Sequence, residues 1–353
     1  MKIAVYTIAL NEEKHVERWY NSVKDADYVL IADTGSTDKT VKIAKKLGIN
    51  VFNISIKPWR FDDSRNAALA LLPDDIDLCI SMDMDETLSD GWREKLEQTT
   101  GTQISYLFNL TYKDEDEKVP LSRFINNRIH ARHGYRWRYL MHEILEPDRL
   151  DSHVVEFCEG LEVSHHPDFE KPRSQYNQLI KDALVESPNN PRYLYYLAME
   201  HLQNKEDKEF TSVAKEFLKY SDAHDESRIG IYCFLYMIKR TKANEKYLHK
   251  ALSESSTRRE PLILLAVSRF KQKNWQECYD YTMQALKMTK KYVGLTTGEY
   301  AWGFLPYNLL AVSEHNKDAE SDDWWTFNVD SIIATNFDLF GLAPKMFKDE
   351  ILI

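Results

Sequence analysis

The spacing of apolar residues changes about half-way along the chain. Residues 3–10 (IAVYTIAL) form a continuous apolar, β-rich run, and residues 13–24 then place Val16, Trp19, Tyr20 and Val23 at helical spacing. The same succession returns with YVLIAD at 28–33, the turn-rich TGSTD, and an amphipathic helix TVKIAKKLG at 40–48 that Gly48 closes as a C-cap. NVFNISI at 50–56 reads as a third strand and DSRNAALALL as the start of another helix. DLCISMDMDE at 77–86 reads as a fourth strand running straight into acidic residues. Strands alternating with helices at this pitch predict a parallel, doubly wound sheet. In such sheets ligands sit beyond the carboxyl ends of the strands. The polar residues fall at those ends: Asn11 and Glu12 after the first strand, Asp33 to Asp38 after the second, and Asp83, Asp85 and Glu86 at the fourth.

From about residue 172 the pattern is helical, through SQYNQLIKDALVES, PRYLYYLAMEHLQNK, FTSVAKEFLKYS, RIGIYCFLYMIKR, PLILLAVSRFKQKNWQECYDYTMQALKM and PYNLLAVSEHN. Two segments echo each other. Leu194, Leu197, Ala198 and His201 are spaced as are Leu262, Leu265, Ala266 and Arg269, with Pro191 and Pro261 ahead of them at comparable positions. Leu-x-x-Leu-Ala spacing with a paired helix resembles tetratricopeptide repeats, in which a small residue lets two helices approach closely. The expected organisation is therefore an α/β domain over residues 1–170 and an all-α helical-repeat domain over 171–353. Residues 286–353, with Trp302, Trp324 and Trp325, either complete the repeats or cover the site.

Composition narrows the picture. A chain of 353 residues exceeds one typical core and fits two, and its 43% apolar content is that of a folded protein. The net charge of −10 argues against a general nucleic-acid or anionic-membrane surface. Cys79, Cys158, Cys233 and Cys278 lie far apart with no CxxC pair, so they read as reduced core residues rather than a zinc site or disulfide framework. The first apolar run meets Glu12 and Glu13 too soon for a signal peptide, and no segment approaches the ~18 to 20 apolar residues of a membrane span. A cytoplasmic protein with no transmembrane segment and no nucleic-acid partner is expected.

Two motifs carry candidate chemistry. In MDMDE at 82–86 two carboxylates are separated by one residue at the end of an apolar strand. On an extended chain Asp83 and Asp85 would point the same way and converge on one hard cation, Mg²⁺ or Mn²⁺, bridging a diphosphate. The competing reading is a solvated loop with an acidic cap before a helix. In DTGSTDKT at 33–40, Gly35 permits a positive φ, Asp38 caps the helix, and Asp33 accepts hydrogen bonds from a sugar hydroxyl or a base imide. The competing reading is simply a well-made turn.

Together, IALNEE at 8–13, ADTGSTDKT at 32–40, DDSRNAAL at 62–69 and SMDMDE at 81–86 resemble, in order and spacing, the successive motifs of family 2 glycosyltransferases with the GT-A fold, a Rossmann-like, mostly parallel sheet. The resemblance implies that Ala9, Asn11, Glu12 and Asp33 hold a nucleotide, usually uridine, and that Arg65 and Asn66 lie beneath the diphosphate and ribose. It also implies that Asp85 binds the metal directly while Asp83 contacts ribose or a metal-bound water. RIHARHGYRWRYLMHEIL at 128–145 is similar to a subgroup with a C-terminal repeat domain, which makes His142 a third metal ligand and Glu143 a general base. The competing reading is a packed histidine beside a salt-bridged glutamate. His165 and His166 match a histidine position of the same subgroup, although Pro167 stands where a small residue is expected. The basic stretch Arg128, His130, Arg132, His133, Arg136 and Arg138 either neutralises a departing diphosphate or solvates a loop, and Arg128 is the first choice among these.

The resemblance thus implies transfer of a sugar from a UDP-sugar to a glycan or protein acceptor, with inversion and with Mn²⁺ or Mg²⁺. The helical repeats would bind a protein partner or a second copy. A nucleotidyltransferase would show a Gly-rich basic loop after the first strand, which IALNEEKH lacks. An inactive GT-A domain in a helical scaffold is the remaining alternative.

Overall fold

The computed structural model describes residues 1–110, 122–166, 175–222, 226–291 and 298–317. The chain divides into two compact units, Met1–Leu179 and Ile180–Ile353. The boundary expected at residue 170 lies outside the described residues.

The first unit is built on an eight-stranded sheet in the order β3-β2-β1-β4-β7-β6-β10-β5. Its strands are β1 (Ile3–Ala9), β2 (Tyr28–Asp33), β3 (Asn50–Asn53), β4 (Leu78–Ser81), β5 (Glu86–Leu88), β6 (Gln103–Leu110), β7 (Ser122–Ala131) and β10 (Val155–His165). β1 pairs in parallel with β2 and β4, β2 with β3, and β6 with β10, while β7 and β5 run the other way. The carboxyl ends of β1, β2, β4, β6 and β10 consequently open on one edge. A two-stranded ribbon, β8 (Tyr135–Arg138) with β9 (Ile144–Pro147), completes the unit.

β1 is buried on both faces, as an apolar run without alternation requires in a covered parallel sheet. Ile3, Val5 and Ala9 face Val16, Trp19 and Val23 of α1 (Val16–Val23) and Trp92 and Leu96 of α4 (Trp92–Leu96). Ala4 and Tyr6 face Ala68 and Leu69 of α3 (Phe61–Ala70). Between β2 and β3, α2 (Thr40–Lys46) ends as expected: Gly48, at φ +80°, donates to the Lys45 carbonyl and Ile49 to that of Ala44.

The fourth strand is shorter than the sequence predicts. It stops at Ser81, and residues 82–85 turn before β5 begins at Glu86. The turn is closed twice, because the Asp83 N–H donates to Glu86 Oε2 at 2.8 Å and the Glu86 N–H to the Asp83 carbonyl at 3.0 Å. Buried Met82 and Met84, on either side of Asp83, anchor it.

The second unit is helical: α5 (Gln175–Glu186), which crosses the boundary, then α6 (Pro191–Gln203), α7 (Asp207–Tyr220), α8 (Ser227–Ile238), α9 (Glu245–Glu254), α10 (Glu260–Lys271), α11 (Trp275–Leu286) and α12 (Leu305–Lys317). Ala198, Ala214, Ala266 and Ala285 are buried in its core beside Phe210, Phe217, Leu265 and Cys278. α9 was not legible in the sequence, since only Leu248 and Ala251 of its apolar positions are buried with Glu245. Trp324 and Trp325 lie outside the described residues. All four cysteines are buried and unbridged. Among the described residues no helix is long and apolar enough to cross a membrane.

Candidate active site

Parallel pairing sets Ala9 beside Asp33 at the carboxyl edge, and the loops that follow are laced together there. The Ala9 carbonyl accepts from Thr34 N and Oγ1 at 2.9 and 3.0 Å. Asn11, at φ +56°, receives the Thr37 N–H on its Oδ1 at 2.8 Å, and the Glu12 N–H donates to Thr40 Oγ1 at 2.7 Å. Asp38 Oδ1 takes the Thr40 N–H at 2.9 Å from one residue ahead of Lys39, which stands at the N-cap of α2 without a side-chain cap bond. Gly35, at φ +114°, lets the turn fold back so that Asp33 Oδ2 accepts from the N–H groups of Gly35 and Ser36 at 3.1 and 3.0 Å. Asp33 Oδ1 is buried with no hydrogen-bond partner among the described residues, an acceptor that calls for a donor.

Beyond β4, one ion network joins residues far apart in sequence. Arg65, one turn into α3 and nearly buried, donates from Nη2 to Asp83 Oδ1 and from Nε to Glu143 Oε1, both at 2.5 Å, and from Nη1 to Ser81 Oγ at 3.2 Å. Arg128, from β7, donates to Asp83 Oδ2 at 2.9 Å and Glu86 Oε1 at 3.1 Å. Both Asp83 oxygens are therefore engaged by guanidinium groups. Burial would raise the Asp83 carboxyl, but the charges of Arg65 and Arg128 outweigh it and hold the group well below its usual range. Glu143 follows the same balance, burial opposed and overcome by Arg65, and is lowered. Glu86, almost fully buried, goes the other way: burial and the nearby Asp83 charge outweigh Arg128 and push it up to about 7.

Residues 82–85 turn instead of continuing as the expected extended strand, and the two aspartates take different partners. Asp85 is drawn to the end of β10: its carbonyl accepts the His166 N–H at 2.7 Å, and its Oδ2 lies 3.2 Å from His165 Nε2. Burial works against the imidazolium of His165, yet Asp85, with Glu86 and Asp83 behind it, raises its pKa. His142 is exposed, on left-handed backbone at φ +50°. Among the described residues no three His, Cys, Asp or Glu side chains form a ready group around a metal position.

Of the remaining basic residues only Arg128 reaches the acidic cluster through the contacts described above. Arg132 donates to the carbonyls of Leu72 and Pro73, and Arg136 and Arg138 are exposed, alternating with buried Tyr135 and Trp137 along β8. His130 is buried beneath the site, its Nε2 3.0 Å from Tyr6 Oη. Asn66 clamps β8, donating from Nδ2 to the Trp137 carbonyl and accepting the Trp137 N–H on Oδ1, each at 2.9 Å. Trp137 in turn lies 5.0 Å from the Arg65 guanidinium, a cation–π contact. Neither Trp137 nor the Glu86 clamp was singled out in the sequence. The alternation in YRWR was a strand signal, obscured by its basic residues.

With this geometry in place, residues 4–149 match the family model of glycosyl transferase family 2. The matched residues lie within the sheet unit. Its sequence is 36% identical over 104 residues to an uncharacterized glycosyltransferase of Rickettsia bellii, covering 29% of this chain and 34% of that protein. It is 39% identical over 98 residues to one of Rickettsia conorii, covering 27% and 33%. The chain thus spans about a third of the length of these curated relatives. A TPR repeat-containing protein of Synechococcus elongatus is 26% identical over 152 residues, 42% of this chain and 36% of that protein. Among solved structures, S. aureus TarS 1-349 in complex with UDP-GlcNAc aligns over 83% of this chain and 93% of its own at 11% identity, with a TM-score of 0.38. Glucosyl-3-phosphoglycerate synthase from Mycobacterium tuberculosis, with Mn²⁺, UDP and glucosyl-3-phosphoglycerate, aligns over 52% and 77% at 18% identity, with a TM-score of 0.32.

Proposed function

We propose that the protein transfers a sugar from a nucleotide-sugar, a UDP-sugar first of all, to an acceptor hydroxyl, with inversion. The observation that carries this reading is the meeting of Arg65, Arg128, Asp83 and Glu143, with Asp85 against His165, at the carboxyl edge of the sheet that matches the family 2 model. Asp33, with one oxygen unpartnered, supplies an acceptor for a ribose hydroxyl or base imide, and Ala9, Asn11 and Glu12 shape the loop beside it.

Asp85 and His165 offer one carboxylate oxygen and one imidazole nitrogen facing each other, a donor set that suits Mn²⁺ or Mg²⁺ when diphosphate and water complete the shell. The pull of this acidic field toward a protonated His165 is the same pull that would favour a divalent cation. When bound, that cation would neutralise charge on the diphosphate. His142, exposed and next to Glu143, would join it only from the solvent side.

In the reaction the acceptor oxygen bonds to the anomeric carbon as the bond from that carbon to the diphosphate oxygen breaks, and the acceptor proton passes to the Glu143 carboxylate. Arg65 keeps Glu143 ionised, ready to receive that proton. Arg128, a quarter exposed where it reaches Asp83, turns its remaining donors toward the departing diphosphate. The helical unit, in this reading, binds a protein that carries or accompanies the acceptor, or a second copy of the chain.

Calorimetric titration of UDP with and without Mn²⁺, on the parent and on Asp85→Ala, tests the proposal. Mn²⁺-dependent binding in the parent, lost in the variant, is expected and would be followed by turnover of UDP-sugars. Absence of binding to UDP and to other nucleotides would move the reading to an inactive domain serving as a scaffold.

A further inference from the structure

The resemblance to family 2 places Asn66 beneath the diphosphate and ribose, but in this structure both ends of its amide are occupied by the backbone of β8. That contact begins a chain. Trp137, whose N–H and carbonyl Asn66 holds, is almost fully buried and presents its ring to the guanidinium of Arg65. On the other side the Trp137 Nε1–H donates to Tyr6 Oη at 2.8 Å, and Tyr6 Oη meets His130 Nε2. His130 Nδ1 is 2.8 Å from the Ala131 carbonyl, so its other nitrogen is left to accept the Tyr6 hydroxyl proton and the polar line is satisfied from end to end.

We infer that Asn66 and Trp137 are positioning residues. They hold the Arg65 side chain, and through it Glu143 and Asp83, in working alignment without touching the donor. Asn66 and Arg65 are neighbours on α3, so the helix carries the guanidinium while its next residue fixes the ribbon that supports it. A guanidinium seated on a ring has fewer orientations to lose than one held by carboxylates alone. Glu143 enters the same arrangement from the segment between β8 and β9, anchored where the Phe61 N–H donates to the Leu140 carbonyl at 2.9 Å. The catalytic part of this inference rests on the proposed glycosyl transfer, whereas the alignment itself does not.

The test uses the full chain as parent, Asn66→Ala, Trp137→Phe and Trp137→Leu, each shown to be folded by circular dichroism. Two readouts are taken: the proton resonance of Arg65 Nε–H in ¹⁵N-labelled protein, and UDP affinity with kcat for whichever UDP-sugar turns over. Loss or displacement of the Arg65 resonance in Asn66→Ala and Trp137→Leu, with Trp137→Phe close to the parent, is expected. UDP affinity should stay within about twofold while kcat falls on the order of tenfold to hundredfold, the scale of a small misplacement of reacting groups. An unchanged Arg65 resonance in Asn66→Ala and Trp137→Leu overturns the inference whether or not the protein turns over a UDP-sugar. So does a tenfold or greater loss of UDP affinity with kcat intact, which would make Asn66 a donor contact. A parent that binds no UDP defeats the glycosyl-transfer reading instead, and the resonance alone then decides the alignment.

Discussion

At the residue scale the same few side-chain types behave differently according to what surrounds them. Three carboxylates lie against two arginines, yet Asp83 and Glu143 are held low while Glu86, more deeply buried and beside another carboxylate, is raised to about 7. Histidines divide in the same way. His165 is raised by Asp85, whereas burial drives His130 down to about 4. The latter shift has a measurable consequence for stability. An unfolded histidine with an ordinary pKa near 6.5 binds a proton that folded His130 refuses, so its contribution is present above pH 6.5 and is lost as pH falls from 6.5 toward 4. The full loss is on the order of 3 kcal/mol. Urea unfolding at pH 7.5 and 4.5 should show a smaller loss in His130→Gln than in the parent. An equal loss would mean that His130 is not held neutral.

At the element scale, strand and helix lengths decide which residues meet. Had β4 continued through residue 86, Asp83 and Asp85 would project together. The reciprocal hydrogen bonds between Asp83 and Glu86 end the strand early and send the two aspartates to different partners. Glu86 and His165 are register partners across β5 and β10, which brings His165 to the turn. In the helical unit Ala266 is fully buried in the core that packs around α10. Ala266→Leu should destabilise the protein by about 1–3 kcal/mol through overpacking, read as a lowered urea midpoint. Ala311→Leu, on the exposed side of α12, should stay within about 0.5 kcal/mol. Equal effects from the two substitutions would argue that close approach at Ala266 does not matter.

At the scale of the whole molecule, each unit carries its own hydrophobic core. Domains with separate cores unfold as separate cooperative units unless tightly coupled. Scanning calorimetry should therefore give a calorimetric enthalpy larger than the van't Hoff value. UDP with Mn²⁺ at about a hundredfold over Kd should stabilise the transition of the sheet unit by about 2.7 kcal/mol and leave the other in place. A single two-state transition that moves as one would show that the units unfold together.

What the sequence determined by itself is the part that repeats locally. The alternation of apolar runs with helical spacing over residues 3–81, the Gly48 stop and the helices described beyond residue 172 follow from neighbours a few positions apart. Its ordered motifs also pointed to family 2, which the match over residues 4–149 bears out. Tertiary structure decided what depends on distant pairing. β6, β7 and β10 carry mixed polar and apolar positions and acquire their faces only once paired. The partner of Asp85 depends on where β10 ends. Asn66 engages Trp137 rather than standing open to a ligand because β8 folds across α3. Side-chain chemistry is written in the chain, but which charges and rings come within hydrogen-bond reach depends on contacts between residues as much as 131 positions apart, and no local pattern encodes those.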